Sequence, residues 1–167
     1  MSHRSGLIAG ITGALLARAA LTRVLLFKLR RDVAKLNGGD RGPLLAGYAE
    51  NAVLHFNEGP HRWSGEHRGK AQIDRFLQDF TRAVINGEIR ALWIGGPPWA
   101  MTLVVRFDDW AKGPDGRQIY SNRTMLLART SWGRIVEQQD FYEDTSRILA
   151  LEESLREIGV EPVAQHL

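Results

Sequence analysis

The segment VVRFDDW, residues 104–110, combines strand-forming side chains with charges that could take part in proton transfer. Side chains two positions apart on a strand point to the same face, so Arg106 and Asp108 are predicted to share one face and Asp109 the other. An arginine beside carboxyl groups can separate their pKa values, which general acid–base chemistry requires. The same residues can instead form a structural ion pair. A one-residue bulge would exchange the faces of Asp108 and Asp109.

The composition excludes several classes of site. The chain has no cysteine, so disulfides, thiol catalysis and cysteine–zinc sites are excluded. His55, His61 and His67 fall on a strand end and a loop without a helical i, i+4 pair, so no metal is predicted. The GGPP segment at 95–98 is a turn rather than a phosphate loop, because no Lys-Ser/Thr follows it. We therefore expect no metal or cofactor, and a cytoplasmic protein.

The positive charge is concentrated at the N-terminus. The chain of 167 residues has a net charge of +3. Residues 1–31 contain six basic residues and no acid, which leaves 16 basic and 19 acidic residues in the remainder. Because the body is mildly acidic, nucleic-acid binding is not predicted. The six basic residues are Arg4, Arg18, Arg23, Lys28, Arg30 and Arg31.

The first residues have three interpretations. Residues 1–25 are predicted to be an N-terminal helical extension to a single domain at 26–167. Arg18 and Arg23 interrupt the apolar run, so a membrane-spanning helix is not expected. The helix could pack on the body or on a partner subunit, or contact a membrane surface through residues 1–31. A leader peptide with a cleavage site at ARA, 17–19, is the third interpretation.

The order of the remaining elements predicts an α+β fold. Apolar spacing and turn residues indicate one strand, then a helix, then a run of four strands and a last helix. A strongly curved antiparallel sheet wrapped around helices makes a cone whose mouth suits a small molecule. The predicted helices are 5–36, 70–85 and 144–159, and the predicted strands are 52–57, 88–95, 99–111, 117–130 and 134–142.

From about Leu26 to Arg147 the chain resembles the NTF2-like, or SnoaL-like, superfamily. Three segments carry the resemblance: LNGGDRGPLLAGYAENAVLHF (36–56), SGEHRGKAQIDRFLQDF (64–80) and GRIVEQQDFYEDT (133–145). The resemblance implies the NTF2-like cone, a curved mostly antiparallel sheet around N-terminal helices, and a homodimer. It does not by itself give a reaction, because one fold can host many.

Within the superfamily, the polar residues look most like those of limonene-1,2-epoxide hydrolase. That likeness implies Asp140 as general base, Asp108 as general acid and Arg106 as the bridge between them. Asn57 would orient the attacking water with help from His55, which stands where the family has a tyrosine. Residues predicted to contact the substrate are Val104, Trp110 and Val136.

The predicted function is a cofactor-independent epoxide hydrolase. It would add water to a small apolar epoxide in one acid–base step and give a vicinal diol. One alternative is another acid–base enzyme of the fold, such as a polyketide cyclase, an isomerase or a dehydratase. A further alternative is a non-catalytic protein that binds a small molecule.

Overall fold

A computed structural model describes the backbone of residues 3–163 and the side chains of residues 16–163. The chain order is helix–helix–strand–strand–helix, followed by four strands and a helix. This confirms the predicted α+β class. The elements are α1 (His3–Asn37), α2 (Gly42–Leu45), β1 (Tyr48–Phe56), β2 (Gly65–Arg68), α3 (Gly69–Arg82), β3 (Asn86–Gly95), β4 (Thr102–Lys112), β5 (Gln118–Ser131), β6 (Arg134–Tyr142) and α4 (Ser146–Glu157).

The six strands form one curved sheet in the order β2-β1-β6-β5-β4-β3. Every neighbouring pair is antiparallel except β1 and β6, which run parallel. A parallel pair needs a long crossover connection, and here all of α3 and β3–β5 separate the two strands in the chain. The sheet therefore brings the last strand, β6, into its centre beside the first.

Helices α1 and α3 cover the concave face of the sheet. Helix α1 packs on β3, and α3 packs on β1. The apolar spacing in α3 predicts a buried face, which the structure confirms for Ile73, Phe76 and Leu77. Helix α1 continues through residue 25 without a break. The boundary at 25/26 between the N-terminal extension and the domain therefore has no counterpart in the secondary structure and remains a prediction. Within residues 3–163, no helix is both long and apolar enough to cross a membrane.

Strand β4 follows a regular alternation that decides which carboxylate faces inward. Leu103, Val105, Asp109 and Ala111 are buried, and Phe107 of the same series packs against the core. The alternate residues, from Val104 to Trp110, are partly exposed. The pairing of β4 with β5 runs in unbroken register from Thr102 to Ala111, so no bulge changes the faces over this stretch. Asp109 therefore shares the concave face with the apolar residues of its strand.

Strand β6 contains a bulge before its polar residues. Glu137 pairs with Arg129 of β5, but the next pair joins Ile135 to Thr130. One residue of β6 is therefore left over, and it is Val136. Beyond the bulge the alternation is regular, and it turns Gln138 and Asp140 into the buried interior.

Candidate active site

A cavity of about 110 Å³ lies between the concave face of the sheet and helices α1 and α3. Its walls are almost entirely apolar, and its few polar groups come from β1, β4–β6 and Asn37 at the end of α1. This combination is typical of a site that binds an apolar small molecule and orients it through a few polar contacts. The apolar walls include Leu29, Val33, Phe76, Phe80, Val105 and Leu126, and the polar groups include Tyr48, Asp109, Thr124, Gln138, Asp140 and Tyr142.

Asp140 is held by a chain of hydrogen bonds that begins on β1. The hydroxyl of Tyr48 donates to Oε1 of Gln138. This bond fixes the orientation of the amide, so that Nε2 of Gln138 donates to Oδ1 of Asp140 over 2.9 Å. Gln138 and Asp140 can meet in this way because residues two apart on a strand share a face. The second carboxyl oxygen, Oδ2, is not part of this chain.

Asp109 is the second carboxyl group of the cavity. Its Oδ2 accepts a hydrogen bond from the hydroxyl of Thr124 on the neighbouring strand β5. Asp109 is 9% exposed and Asp140 is 8% exposed, so both carboxyl groups are largely removed from water. Burial without a charged partner favours the protonated form of a carboxyl group.

The two carboxyl groups have raised pKa values. Burial raises the pKa of Asp140 from 3.8 to about 7, the hydrogen bond from Gln138 lowers it, and the charge of Asp109 raises it further. Burial raises the pKa of Asp109 from 3.8 to about 6, Thr124 opposes the rise, and Asp108 adds to it. Since the charge of Asp109 disfavours ionisation of Asp140, we treat the two as a coupled pair that titrates well above the ordinary range of a carboxyl group.

Tyr142 places a phenol beside this pair. Burial raises the pKa of Tyr142 well above its ordinary value of 10.0, and the charges of Asp140 and Asp109 raise it further. The phenol therefore stays neutral over the range in which the carboxyl groups titrate, and it can donate a hydrogen bond. The cavity thus contains a proton acceptor, a proton donor and neutral hydrogen-bond donors.

The prediction that Arg106 and Asp108 face the cone interior is wrong. Both lie on the convex face, where Asp108 Oδ2 accepts from Arg90 Nε over 2.7 Å and Oδ1 accepts from Arg106 Nη2 over 3.2 Å. The Asp108 side chain is 30% exposed, and the Arg90 hydrogen bond lowers its pKa below the ordinary value. The physical reason is that the apolar side chains of β4 occupy the opposite face. Arg106, Asp108 and Arg90 form a surface ion-pair network.

The other predicted site residues also lie outside the cavity. His55 lies on the outer face of β1, between buried Leu54 and Phe56, with Nδ1 3.5 Å from Oε2 of Glu66. Asn57 follows the last residue of β1 and does not line the cavity. The alternation of β4 and the bulge of β6 explain why three more residues, Val104, Trp110 and Val136, do not line it either. Of the predicted site residues, Asp140 alone lines the cavity.

The convex face of the sheet, which carries Arg106 and Asp108, is partly apolar. Trp93, Met125 and Phe141 are 53%, 38% and 47% exposed. A homodimer would remove such side chains from water, which is favourable. The homodimer implied by the superfamily remains a prediction.

The three histidines considered as metal ligands are dispersed. His55 lies beside Glu66, whereas the His67 ring nitrogen Nε2 is 3.0 Å from the carbonyl oxygen of Trp63. His61 packs edge-on against Phe56. Among residues 16–163, no three His, Asp or Glu side chains come together in a group that could hold a metal ion.

Sequence reasoning missed Asp109, Gln138, Thr124 and Tyr48, although a signal was present for Asp109. Residues 103, 105, 107 and 111 are Leu, Val, Phe and Ala, and that apolar series places residue 109 on the buried face. The resemblance to limonene-1,2-epoxide hydrolase instead implied that Asp108 faces the interior. No comparable signal identifies Tyr48 or Thr124, because their role depends on which strands become neighbours.

Thr124→Val should raise the pKa of Asp109 by about 1 pH unit, because the variant lacks the hydroxyl that stabilises the carboxylate. The measurement is a carboxyl carbon NMR titration of Asp109. The matched control is Thr130→Val on the same strand, whose hydroxyl bonds to the backbone of Met101 instead. An unchanged Asp109 titration in Thr124→Val would contradict the assignment of this hydrogen bond.

Comparison with solved structures identifies the architecture. An NTF2-like protein of unknown function from Burkholderia pseudomallei superposes with a TM-score of 0.63 at 19% identity, over 75% of this chain and 94% of that chain. The chain has the NTF2-like fold. A candidate isomerase from Bacillus subtilis matches this fold with a TM-score of 0.59 at 21% identity, over 80% of this chain and 94% of the other. A candidate SnoaL-like polyketide cyclase from Jannaschia sp. matches with a TM-score of 0.60 at 12% identity, over 79% of this chain and 92% of the cyclase chain.

These similarities show the NTF2-like fold and no more. The chain matches no protein-family model and no curated protein. The structural neighbours include proteins described as enzymes and one of unknown function, so the reaction has to be argued from the cavity.

Proposed function

We propose that this protein is a cofactor-independent acid–base enzyme that moves a proton within an apolar carbonyl compound, as an isomerase or a cyclase does. One observation carries the proposal. Two buried carboxyl groups, Asp109 and Asp140, face the same apolar cavity with pKa values raised to about 6 and about 7. A carboxyl group with such a pKa can exchange protons at neutral pH, where an ordinary one is fully ionised.

The two carboxyl groups titrate as a coupled pair, and the roles within it are part of the proposal. We assign Asp109, whose pKa burial raises less, as the general base that removes a proton from the carbon beside the carbonyl. We assign Asp140, whose pKa burial raises more, as the acid that stabilises or protonates the enolate oxygen. This reverses the role that the hydrolase resemblance implies for Asp140. Tyr142 is a further neutral donor to the same oxygen.

The surroundings support such a reaction. A substrate that fills the cavity displaces water from both carboxyl groups, and electrostatic interactions are stronger in a dry site. The apolar walls favour an uncharged substrate, because no cationic side chain is among the residues that line the cavity in the described part of the chain. The base and the acid come from β4 and β6, each of which is paired with a neighbouring strand on both sides. Such elements hold their side chains in a fixed geometry.

Epoxide hydrolysis is the second candidate, with different residues from those first expected. The observation in its favour is that two buried carboxyl groups with raised pKa values, Asp109 and Asp140, face one cavity. Asp109 would take a proton from water, and Asp140 would give one to the departing epoxide oxygen. The Arg106 bridge has no part in this scheme, because Arg106 lies on the convex face.

The test uses one substrate panel with two readouts. Wild-type protein is incubated in D₂O with apolar enolisable ketones, and with limonene oxide and cyclohexene oxide. Replacement by deuterium of the proton on the carbon beside the carbonyl, measured by NMR, supports the proposed acid–base reaction on a carbonyl compound. Diol formation supports epoxide hydrolysis. If the protein binds members of the panel but gives neither exchange nor diol, both proposed reactions are contradicted. The protein would then be a non-catalytic protein that binds a small molecule.

A further inference from the structure

Helix α1 presents an apolar stripe to solvent on the side opposite to the cavity. Leu16, Val24 and Phe27 are 67%, 65% and 72% exposed. Successive helix residues turn by about 100°, so these three side chains fall within an arc of about 80°. The cavity-lining residues Leu29 and Val33 lie on the other side of the helix, about 180° and about 140° from the middle of that arc. The stripe therefore has no role in the core of the domain.

Basic side chains border this stripe. Arg23, Lys28 and Arg31 are exposed, and the wheel positions of Arg23 and Arg31 lie within or beside the arc of the three apolar residues. The first 31 residues contain no acid. The first acid of the helix, Asp32, is 1% exposed and is bonded to Lys28 and Arg31, so it does not face the surface. Asp32 offsets one of the two charges of Lys28 and Arg31, so the exposed side of α1 combines large apolar side chains with a net positive charge.

We propose that this side of α1 binds the surface of an anionic membrane. Apolar side chains beside cationic ones suit the boundary between acyl chains and acidic headgroups, into which a helix can lie without spanning. Each Lys or Arg near such a surface adds attraction. Because the opposite side of the same helix is a wall of the cavity, binding would hold the apolar cavity next to a reservoir of apolar molecules.

Charge argues against a second copy of this chain as the occupant of the stripe. Two copies joined through α1 would bring together the basic residues of both helices, with no exposed acid from the first 31 residues to compensate. Like charges placed opposite each other are unfavourable. The exposed apolar residues of the convex sheet face form a separate surface, which a homodimer could use independently.

The experiment is vesicle co-sedimentation of the full chain. Vesicles contain phosphatidylglycerol and phosphatidylcholine, or phosphatidylcholine alone. We expect wild type to prefer the anionic vesicles and to lose binding as salt is raised. The double variant Val24→Asp/Phe27→Asp should bind at least about tenfold more weakly, and Arg23→Gln about fivefold.

Matched controls change the same residue types elsewhere. Trp132→Asp removes an apolar side chain that is 82% exposed in the β5–β6 turn, and Arg117→Gln removes a cation whose side chain is 81% exposed. Both should bind like wild type, and circular dichroism should show all variants folded. Equal binding of wild type to neutral vesicles, or undiminished binding of the double variant, would overturn the proposal. A fall in molar mass of the double variant in light scattering, without vesicle binding by wild type, would assign the stripe to a second copy.

Discussion

Asp109→Asn should lower turnover by about 10²- to 10⁴-fold, the contribution of a general acid or base to catalysis. Asp140→Asn should have an effect of similar size. Each variant keeps the shape of the side chain and its capacity to accept the existing hydrogen bond, from Thr124 or from Gln138. Each removes the capacity to gain and lose a proton. The measurement is the rate of α-proton exchange, or of diol formation, on whichever substrate the panel identifies.

Asp108→Asn is the matched control for this prediction. It changes the same residue type one position away on the same strand, but on the convex face, where Asp108 is paired with Arg90 and Arg106. We expect turnover close to that of wild type. The hydrolase resemblance makes the opposite prediction, with Asp108 essential and Asp109 dispensable. The two variants therefore distinguish a site built on Asp109 from one built on Asp108. Activity that survives in Asp109→Asn but not in Asp108→Asn would refute the assignment of Asp109 to the active site.

Asp140→Asn should also make the protein less sensitive to pH. The folded-state pKa of Asp140, about 7, lies above its unfolded value of 3.8. Below about pH 4 the Asp140 carboxyl group is protonated in both the folded and the unfolded state, so it does not make the free energy of unfolding depend on pH. As pH rises from about 4 to about 7, the unfolded chain releases the proton first, so the free energy of unfolding falls until the folded state also ionises.

The size of this effect follows from the interval between the two pKa values. A difference of one pH unit corresponds to 1.36 kcal/mol, so wild type should lose about 3 kcal/mol more than Asp140→Asn between about pH 5 and pH 9. Urea unfolding at these two pH values measures the difference. Asp108→Asn is again the control, since the pKa of Asp108 is lowered rather than raised and its site is exposed to solvent. Parallel stability curves for wild type and Asp140→Asn would show that Asp140 is not buried in a dry site.

The local order of elements could be read from the sequence. The spacing of Ile73, Phe76 and Leu77 predicts α3, and the turn segments between apolar runs separate β3 to β6. These predictions are confirmed, because helix periodicity and turn chemistry are local properties of the chain. The NTF2-like fold follows from that order together with the resemblance, and the solved structures confirm it.

The faces of the strands were decided by packing. In β4 the choice between Asp108 and Asp109 depended on which series of side chains the core would bury, and burying Leu103, Val105 and Ala111 stabilises the fold more than burying Arg106 could. In β6 a bulge at Val136 is a property of the pairing with β5, and no single strand encodes it.

The sequence by itself determined the longer helices and strands, the absence of cysteine chemistry and the basic N-terminal segment, and the resemblance added Asp140, a carboxyl group that lines the cavity. The tertiary structure alone decided the rest of the site. Tyr48 is 90 residues from Gln138 in the chain, and Thr124 is 15 from Asp109. Such pairs meet because β1 and β6, and β4 and β5, become neighbours in the sheet. The raised pKa values depend on burial in the cavity that α1 and α3 form with those strands, which no single element provides.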